Sequence, residues 1–488
     1  MANAHPSQPK DACDDETASL LVRVRTESSH VYANERVLSC ENGGLWVEFA
    51  LLCKYSLPSV ATYLLQYSFT IIIIVIAGHL GTEELAAASI GGTTMAIIGY
   101  AIFEGMATAL DTLCAQAYGS GQLTSVGLHV QRMTLLMSVT IIPVGAFWLC
   151  SPSILPFVLW DRGLGVRAGR FIQVSLLGLP GYAYFEAGKR FLQAQGDFRS
   201  GMIVLVVCTP VNIFLSWLFA FKLNMGLEGA ALGQSLANNL RPILLFLYAK
   251  LFCKWSHKCW TSWSLHCLKD WGPMTKLAVA GSVVNLGEWL AFEVLGVLTS
   301  YLGTEYLAAQ AIVNSGCAIM WHIPLSISIA VATRIGHLIG SGLPGVARQA
   351  TALYVVVFLV VGCFNGCVLY LLRHPISMFM SVDPVVQSIA EQSMWSVAVF
   401  QIIDAINCGC NGVMRGLGLQ SIAACVVMII NYGGSVPVAL WLMLGPPDFK
   451  LNGLWMGMGF GCCLIAIVEC VYMRFIDWEE RCQGTEQE

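Results

Sequence analysis

Long apolar stretches, each about the length of a membrane-spanning helix, recur along almost the whole chain. A helix needs about 20 mostly apolar residues to cross a bilayer. Twelve stretches meet this requirement, and short polar segments separate them: residues 50–77, 86–113, 132–153, 170–188, 201–221, 229–250, 273–300, 308–332, 350–372, 392–413, 421–443 and 454–473. The pattern therefore predicts an all-α polytopic membrane protein with twelve transmembrane helices.

The composition supports a membrane location for most of the chain. Of its 488 residues, 56% are hydrophobic and 11% are charged, whereas a typical soluble domain carries about 25% charged residues. These charges are too few to cover the surface of a soluble protein of 53.0 kDa. The net charge of −4 comes with no basic stripe or recognition motif, so nucleic acid is not expected as a partner.

The 26 Lys and Arg residues are distributed unevenly between the two sides of the predicted bundle. With a cytosolic N-terminus, nineteen fall on the side of the N-terminus, six fall on the other side, and Arg241 lies within the sixth helix. Lys and Arg favour the cytosolic side of membrane proteins. The bias predicts that both termini are cytosolic and that the number of spans is even.

The chain contains an internal repeat. Residues Leu80–Ala87 recur as Leu302–Ala309, and Gly119–Gly121 recur as Gly340–Gly342, after the second span of each half. Six spans return the chain to its starting side, so the halves are predicted to be parallel, pseudo-symmetric six-helix lobes. Substrate is expected to bind between the lobes, which would rock to give alternating access.

The predicted organisation has five parts. They are a disordered cytosolic N-terminal tail (1–44), an N-lobe (45–250), a cytoplasmic inter-lobe loop (251–272), a C-lobe (273–474) and a cytosolic C-terminal tail (475–488). The N-terminal tail is polar, with mixed charge and no amphipathic period.

Two carboxylates lie deep inside predicted transmembrane helices, Glu288 on the seventh and Asp404 on the tenth. A charge at the bilayer centre costs roughly 2.5–3.5 kcal/mol even on the milder insertion scales. Such a group usually faces a cavity, where it binds protons, ions or substrate. The alternative is a packing residue that is buried and either protonated or hydrogen-bonded.

The neighbours of both acids are candidates for a cavity lining. Gln401, Asn407 and Asn411 lie with Asp404 within an arc of about 140° on the tenth helix, which indicates either a cavity wall or hydrogen-bonded helix contacts. Glu293 lies five residues after Glu288, about 140° around the seventh helix, so at most one of the two glutamates is expected to face Asp404.

Trp289, beside Glu288, could offer an aromatic face to a cationic substrate. The first half carries acids as well. Asp111 and Glu186 are expected to be structural and paired at the membrane interface, whereas Glu104 lies deeper and is a possible second proton site, independent of the second lobe.

Several segments resemble the multidrug and toxic compound extrusion (MATE) transporters of eukaryotes. Ala109–Gly119 is similar to the signature of their second span, and Ile323–Ile335 with Gly340–Gly342 is similar to their eighth span and the loop that follows. Arg190–Gly196 and Gly412–Gln420 resemble two of their connecting segments. The resemblance covers roughly residues 45–475 and implies twelve helices in two lobes.

The resemblance implies the export of organic compounds driven by cation entry. The family's acid of the seventh span falls on Glu288, although Leu290 stands where the family pattern has a second Trp, and its aspartate of the tenth span falls on Asp404. The aspartate that some bacterial members carry in the first span has no counterpart here.

The sequence thus predicts a secondary active multidrug antiporter, in which Glu288 and Asp404 couple the export of organic cations or metabolites to proton entry. One alternative is the efflux of organic anions such as citrate, for which Arg241 is the candidate basic residue. Another is a lipid-linked flippase of the same superfamily. The expected partners are small organic substrates, protons and the lipid bilayer, for a monomer in the vacuolar or plasma membrane.

Enzymatic chemistry is not predicted. The chain contains no nucleotide-binding loop, nucleophile elbow or metal motif. Most of its 19 cysteines lie inside apolar stretches, where Cys behaves as a small hydrophobic residue. No metal site is predicted, and no cofactor other than the proton as coupling ion.

Overall fold

The computed structural model describes residues 12–159, 161–253, 256–260, 262–381 and 383–487, with side chains between residues 44 and 482 except those of 158 and 257. Its helices of membrane length are α1 (Gly44–Leu80), α2 (Thr82–Gly119), α3 (Leu123–Phe157), α4 (162–194), α5 (Arg199–Lys222), α6 (Gly226–Phe252), α7 (Gly272–Leu302), α8 (Thr304–Gly340), α9 (Pro344–Leu371), α10 (Pro384–Gly416), α11 (Gln420–Leu444) and α12 (Lys450–Phe475). Each predicted stretch falls on one of them, so the prediction of twelve helices is confirmed.

Within the described part of the chain, ten of these helices are long and apolar enough to cross a membrane, judged by length and composition. The exceptions are α4 and α6, whose polar residues lower their hydropathy. Glu186 and Lys189 of α4 and Arg241 of α6 are all buried inside the bundle, away from lipid. These two helices therefore pack within the transmembrane bundle with these charged side chains turned toward protein and away from lipid.

Short elements connect the long helices. They are Ser256–Cys259 and Leu265–Leu268 between α6 and α7, Arg373–Met380 between α9 and α10, and Trp478–Gln487 after α12. The helix that contains α1 is traced from Ala12 and breaks at Gly44, where φ is 62°. Most of the predicted N-terminal tail lies outside the residues whose side chains are described, so its disorder stays a prediction. The predicted boundaries of the two lobes, the inter-lobe loop and the C-terminal tail stay predictions as well.

The internal repeat extends to the backbone conformation. Three pairs of glycines, 221 or 222 residues apart, adopt positive φ: Gly81 (151°) and Gly303 (114°), Gly121 (78°) and Gly342 (71°), and Gly196 (81°) and Gly418 (74°). Residues with a side chain rarely adopt these angles. The same turns thus recur at equivalent points of the two six-helix lobes, which are pseudo-symmetric.

The first transmembrane helix contributes to the cores of both halves. Phe69 and Ile73 pack in the core formed by α2 to α6. Leu52, Tyr55 and Tyr63, nearer the start of α1, pack instead in a core built mainly from α8, α9 and α10. The packing of α1 therefore joins the halves at the end of the bundle where α1 begins.

One turn of α2 departs from the α-helix, over Ala96–Tyr100. Ile98 has φ −92° and ψ 45°, and its freed carbonyl accepts a hydrogen bond of 2.8 Å from the Trp148 indole of α3. Inside a membrane protein, such a break persists when a neighbouring group satisfies the backbone. The break sets the direction of the following segment, which carries Glu104 and packs on α7.

The halves close on each other where α2 and α8 end. A Cβ atom at Gly119 would lie 2.4 Å from the His337 carbonyl oxygen, and one at Gly340 would lie 2.2 Å from that of Gln116. The Ser341 hydroxyl also donates to the Gly119 carbonyl at 3.0 Å. The repeated glycine turns therefore pack against each other's helices, and they permit a backbone approach that any side chain would prevent.

Candidate functional site

A cavity lies between the two halves. Its walls come from α1, α2 and α4 on one side and from α7, α8, α10 and α11 on the other. The lining residues are Tyr63, Glu104, Thr108, Arg190, Gly281, Val284, Asn285, Glu288, Trp321, Leu325, Ser328, Ile329, Cys408, Asn411, Arg415, Gln420 and Ala423. The cavity thus holds acids, bases, amides and aromatic rings in one chamber, at the place where the repeat predicts substrate.

Close packing of α2 on α7 places one carboxylate on each side of this cavity. A Cβ atom at Gly105 would lie 2.4 Å from Ser282 Cα, and one at Gly281 would lie 2.3 Å from the Gly105 carbonyl oxygen. The Ser282 hydroxyl donates to the carbonyl of Ile102 at 3.0 Å. Glu104 therefore lies in the α2 wall beside this contact, and Glu288 lies in the α7 wall about two turns beyond it.

Glu288 is held from behind by α11, whereas its own carboxylate accepts no hydrogen bond from the described residues. The Tyr432 hydroxyl of α11 donates to the carbonyl of the preceding residue, Gly287, at 3.2 Å. Oε1 of Glu288 is buried and has no hydrogen-bond partner among the described residues. Because this carboxylate lines the cavity, it is available to bind a proton or a cationic substrate.

Asp404 lies behind the cavity wall and does not line it. Its side chain is 5% exposed, and Oδ2 has no hydrogen-bond partner in the described part of the chain. Asp404 and Glu288 lie within electrostatic range of each other. The two acids therefore influence each other's charge, although Cys408 and Asn411 of α10 form the surface of the wall itself.

The other polar residues of α10 have different surroundings. Gln401 is fully buried and donates to Cys317 Sγ at 3.1 Å, and Asn365 donates to Gln401 Oε1 at 3.5 Å. Asn407 is also buried, and its Oδ1 has no described partner. The predicted stripe thus splits. Gln401 connects helices, Asn407 faces the protein interior, and Asn411 reaches the cavity.

The predicted lining residues of α7 also lie outside the cavity wall. Trp289 packs edge-to-face on Trp321, a lining residue, with 6.4 Å between ring centroids. Glu293 is exposed on another side of the helix. Glu293 lies five residues after Glu288, and five residues turn the helix by about 140°. The two glutamates therefore face different sides of α7.

The acids of the first half belong to a hydrogen-bonded network. The Tyr182 hydroxyl donates to Glu104 Oε1 at 2.5 Å, and the Gln66 amide donates to Glu186 Oε1 at 3.0 Å and to Glu104 Oε1 at 3.4 Å. Lys189 donates to Glu186 at 2.8 Å. The sequence analysis placed Glu186 at the membrane interface. The predicted pairing is present, and it lies inside the protein because α4 carries its own lysine into the core beside Glu186.

Two arginines that the sequence analysis did not select line the cavity. Arg190 of α4 lies 3.2 Å from Asp111 Oδ1, and Arg415 of α10 lies 3.9 Å from Asp111 Oδ2 and donates to the Ser328 hydroxyl at 2.5 Å. The expected pairing of Asp111 is therefore present, but inside the protein and shared by both arginines. Arg190 also lies within electrostatic range of Glu186 and Glu104, so this part of the wall contains both acids and bases.

Hydrogen bonds between the halves lie next to these arginines. Thr112 donates to the carbonyl of Arg415 at 2.5 Å, Gln116 donates to that of Gly416 at 2.9 Å, and Gln420 donates to that of Thr108 at 2.9 Å. Together with the glycine contacts of α2 and α8, they close this end of the cavity. A substrate that enters or leaves here must first break these contacts.

Arg241, the predicted basic residue for anion transport, does not line the cavity. It is 1% exposed, and its guanidinium lies over the Phe69 ring, with 3.6 Å between Cζ and the ring centroid. This cation–π contact anchors α6 on α1. No group of three or more His, Cys, Asp or Glu residues is placed to hold a metal ion among the described residues.

Comparisons with known proteins agree with this architecture. The MatE family model matches residues 58–218 and 282–441, one segment in each half. The chain is 36% identical over 438 residues to the uncharacterized transporter YDR338C of Saccharomyces cerevisiae, covering 89% of this chain and 62% of that protein. It is 30% identical over 427 residues to Protein DETOXIFICATION 16 of Arabidopsis thaliana, covering 87% of each.

A solved structure described as the eukaryotic MATE transporter AtDTX14 superposes with a TM-score of 0.85, at 26% identity, over 90% of this chain and 98% of that one. One known fold thus accounts for the order of the helices, the internal repeat and the cavity between the lobes. The relatives are named as transporters, and none of these names describes an enzyme. The chain belongs to the MATE family of multi-pass membrane transporters.

Proposed function

We propose that this protein is a proton-coupled antiporter that exports organic cations or metabolites by alternating access, with Glu288 and Asp404 as the coupling acids. The observation that carries the proposal is the carboxylate of Glu288, which lines the inter-lobe cavity with a buried oxygen that no described residue satisfies. Asp404 lies behind it within electrostatic range. Among the relatives, Multidrug and toxin extrusion protein 1 of Rattus norvegicus has a name that supports the export part of the proposal.

The transport cycle follows from the charge of these two acids. In the ionised form, Glu288 attracts a cationic substrate into the cavity, and Trp321 offers an aromatic surface for it. Protonation removes the negative charge and releases the cation, and loss of the proton on the other side restores the affinity. Glu288 and Asp404 affect each other, so protonation of one changes the proton affinity of the other.

The positive-inside bias puts both termini, and the closed end of the cavity, in the cytosol. The closed end is formed by the glycine contacts of α2 and α8 and by the hydrogen bonds around Arg415. On this assignment, the structure corresponds to a state closed to the cytosol, in which substrate leaves and protons enter. The vacuolar and plasma membranes both provide the acidic side that this cycle needs.

The test uses purified protein in liposomes with an imposed pH gradient and a fluorescent organic cation. Glu288→Gln should abolish transport driven by the gradient, because the amide keeps the shape of the side chain but does not titrate. Glu293→Gln is the matched control, since it makes the same change at an exposed position of the same helix. Wild-type rates in Glu288→Gln would refute the proton role of this residue.

Export of organic anions is a second candidate, and the pair of cavity arginines favours it. Arg190 and Arg415 place two guanidinium groups in the cavity wall, and a guanidinium is a natural partner for a substrate carboxylate. Uptake of radiolabelled citrate and of tetraethylammonium by the same liposomes distinguishes the two candidates. Saturable citrate transport that tetraethylammonium does not inhibit would favour the anion function.

A further inference from the structure

The last transmembrane helix carries a buried acid that neither the sequence pattern nor the proposed coupling pair uses. Glu469 of α12 is 0% exposed, and neither of its carboxylate oxygens has a hydrogen-bond partner among the described residues. An ionised carboxylate in such surroundings is strongly disfavoured. Burial without a partner therefore favours the protonated form of Glu469 in this state.

The charged and titratable groups that act on Glu469 from the helices packed around it are few. Glu288 of α7 and Arg415 of α10 lie within electrostatic range. Beside it on α12, the Cys470 thiol packs on Cys410 of α10, with 3.4 Å between the sulfur atoms. The charge of Glu288 thus acts directly on Glu469, and the opposite charge of Arg415 acts against it.

The thiol contact also fixes the depth of Glu469 in the bundle. Asp404 precedes Cys410 by six residues on α10, which is about 9 Å along the helix axis. Glu469 lies beside Cys470, six residues or about 9 Å before the end of α12 at Phe475. It therefore lies between the coupling acids and the closed end of the bundle.

The space between these acids contains other buried polar atoms without partners. Oδ2 of Asp404 and Oδ1 of Asn407 lack described partners, and Asn407 lies one turn from Asp404 in the direction of Glu469. Cys462, two turns before Glu469 on the same face of α12, lies within electrostatic range of both Asp404 and Glu288. Unsatisfied buried groups of this kind are the usual sites of ordered water.

We propose that Glu469 is a third proton-binding group of the second half, which receives protons from Glu288 and Asp404 and delivers them at the end of the bundle that is closed in this structure. Each step breaks one O–H bond on the donor and forms one on the acceptor, through water, with no change of redox state. The proposal rests on the proposed proton coupling, and it separates the proton route from the route of the substrate.

The test compares two kinds of transport in liposomes that contain the full-length protein. In Glu469→Gln, net transport driven by a pH gradient should fall severalfold and lose its dependence on the pH of the side that receives protons. Counterflow exchange of labelled for unlabelled tetraethylammonium, without a gradient, should keep the wild-type rate, because it requires no net proton release. Glu469→Asp, which keeps a titratable group, should restore much of the net rate.

Each outcome supports or overturns the role of Glu469 as a proton-binding group. Wild-type net transport with unchanged pH dependence in Glu469→Gln, or equal loss of counterflow and net transport, would overturn the relay. If Glu469→Gln does not fold, the aspartate variant is decisive, since its shorter acid should shift the pH dependence and an unchanged profile would refute the proposal. Wild-type transport by Glu288→Gln would instead refute the proton coupling, independently of Glu469.

Discussion

The two halves of the molecule share a backbone plan but treat their buried acids in opposite ways. In the first half, Glu104 and Glu186 accept hydrogen bonds from Tyr182, Gln66 and Lys189. In the second half, Glu288, Asp404 and Glu469 accept none from the described residues, although each is at least partly buried. The repeat has therefore preserved the helices and turns while the chemistry of the acids has diverged.

This difference indicates a division of labour. A buried acid with a lysine and an amide as partners stays charged and holds helices together, and breaking such a pair is costly. A buried acid without partners has no ion pair that fixes its charge, so its protonation state depends on changes in its surroundings. The contrast supports the proposal that the first half provides a stable frame and that the second half provides the groups whose charge changes during transport.

The largest expected effect comes from breaking the first-half pair. Lys189→Met leaves the carboxylate of Glu186 buried without its cation, which should lower the free energy of unfolding by about 3–5 kcal/mol. Lys222→Met, at an exposed position, is the control. Thermal unfolding in detergent, followed by tryptophan fluorescence, measures both, and equal stability of the two variants would contradict the structural role of Lys189.

The sequence was sufficient to predict the frame of the molecule but only part of the site. Hydropathy locates the helices because every lipid-facing residue must be apolar, and Glu288 and Asp404 stand out against that background. Arg190 and Arg415 lie at the ends of predicted spans, where basic residues usually face lipid headgroups. The packing of α2 against α8, which depends on contacts between residues far apart in the sequence, places these arginines in the cavity wall instead.

Glu469 escaped the sequence analysis for a similar reason. It lies four residues before the end of its predicted span, where an acid is ordinarily hydrated. Its burial results from the packing of α12 on α10, seen at the contact of Cys470 with Cys410. Local sequence does not record which helix covers a given face, so the depth of a residue within its own span was a poor guide to its exposure.

The next comparison tests which half couples transport to protons. Asp404→Asn should reduce transport driven by a pH gradient by about tenfold or more, equivalent to about 1.4 kcal/mol or more in the barrier. Glu104→Gln should reduce it less, because the amide oxygen still accepts the hydrogen bond from Tyr182. The two substitutions make the same chemical change, one in each half. Full transport by Asp404→Asn together with loss in Glu104→Gln would reverse the assignment.

The smallest expected effect is the gain in stability from Glu469→Met, and Glu186→Met provides a matched comparison for it. Glu186 and Glu469 are both 0% exposed, so replacing each by methionine makes the same change in the same degree of burial. Glu186→Met should destabilise the protein because it leaves the ammonium of Lys189 without its carboxylate.

Glu469→Met removes a polar group that has no described partner, and it should raise the free energy of unfolding by about 1 kcal/mol. A protein that keeps a destabilising acid at this position sacrifices stability for function. Thermal unfolding of both variants checks the pair, and a destabilised Glu469→Met would mean that Glu469 has a structural partner and that the contrast between the halves does not extend to α12.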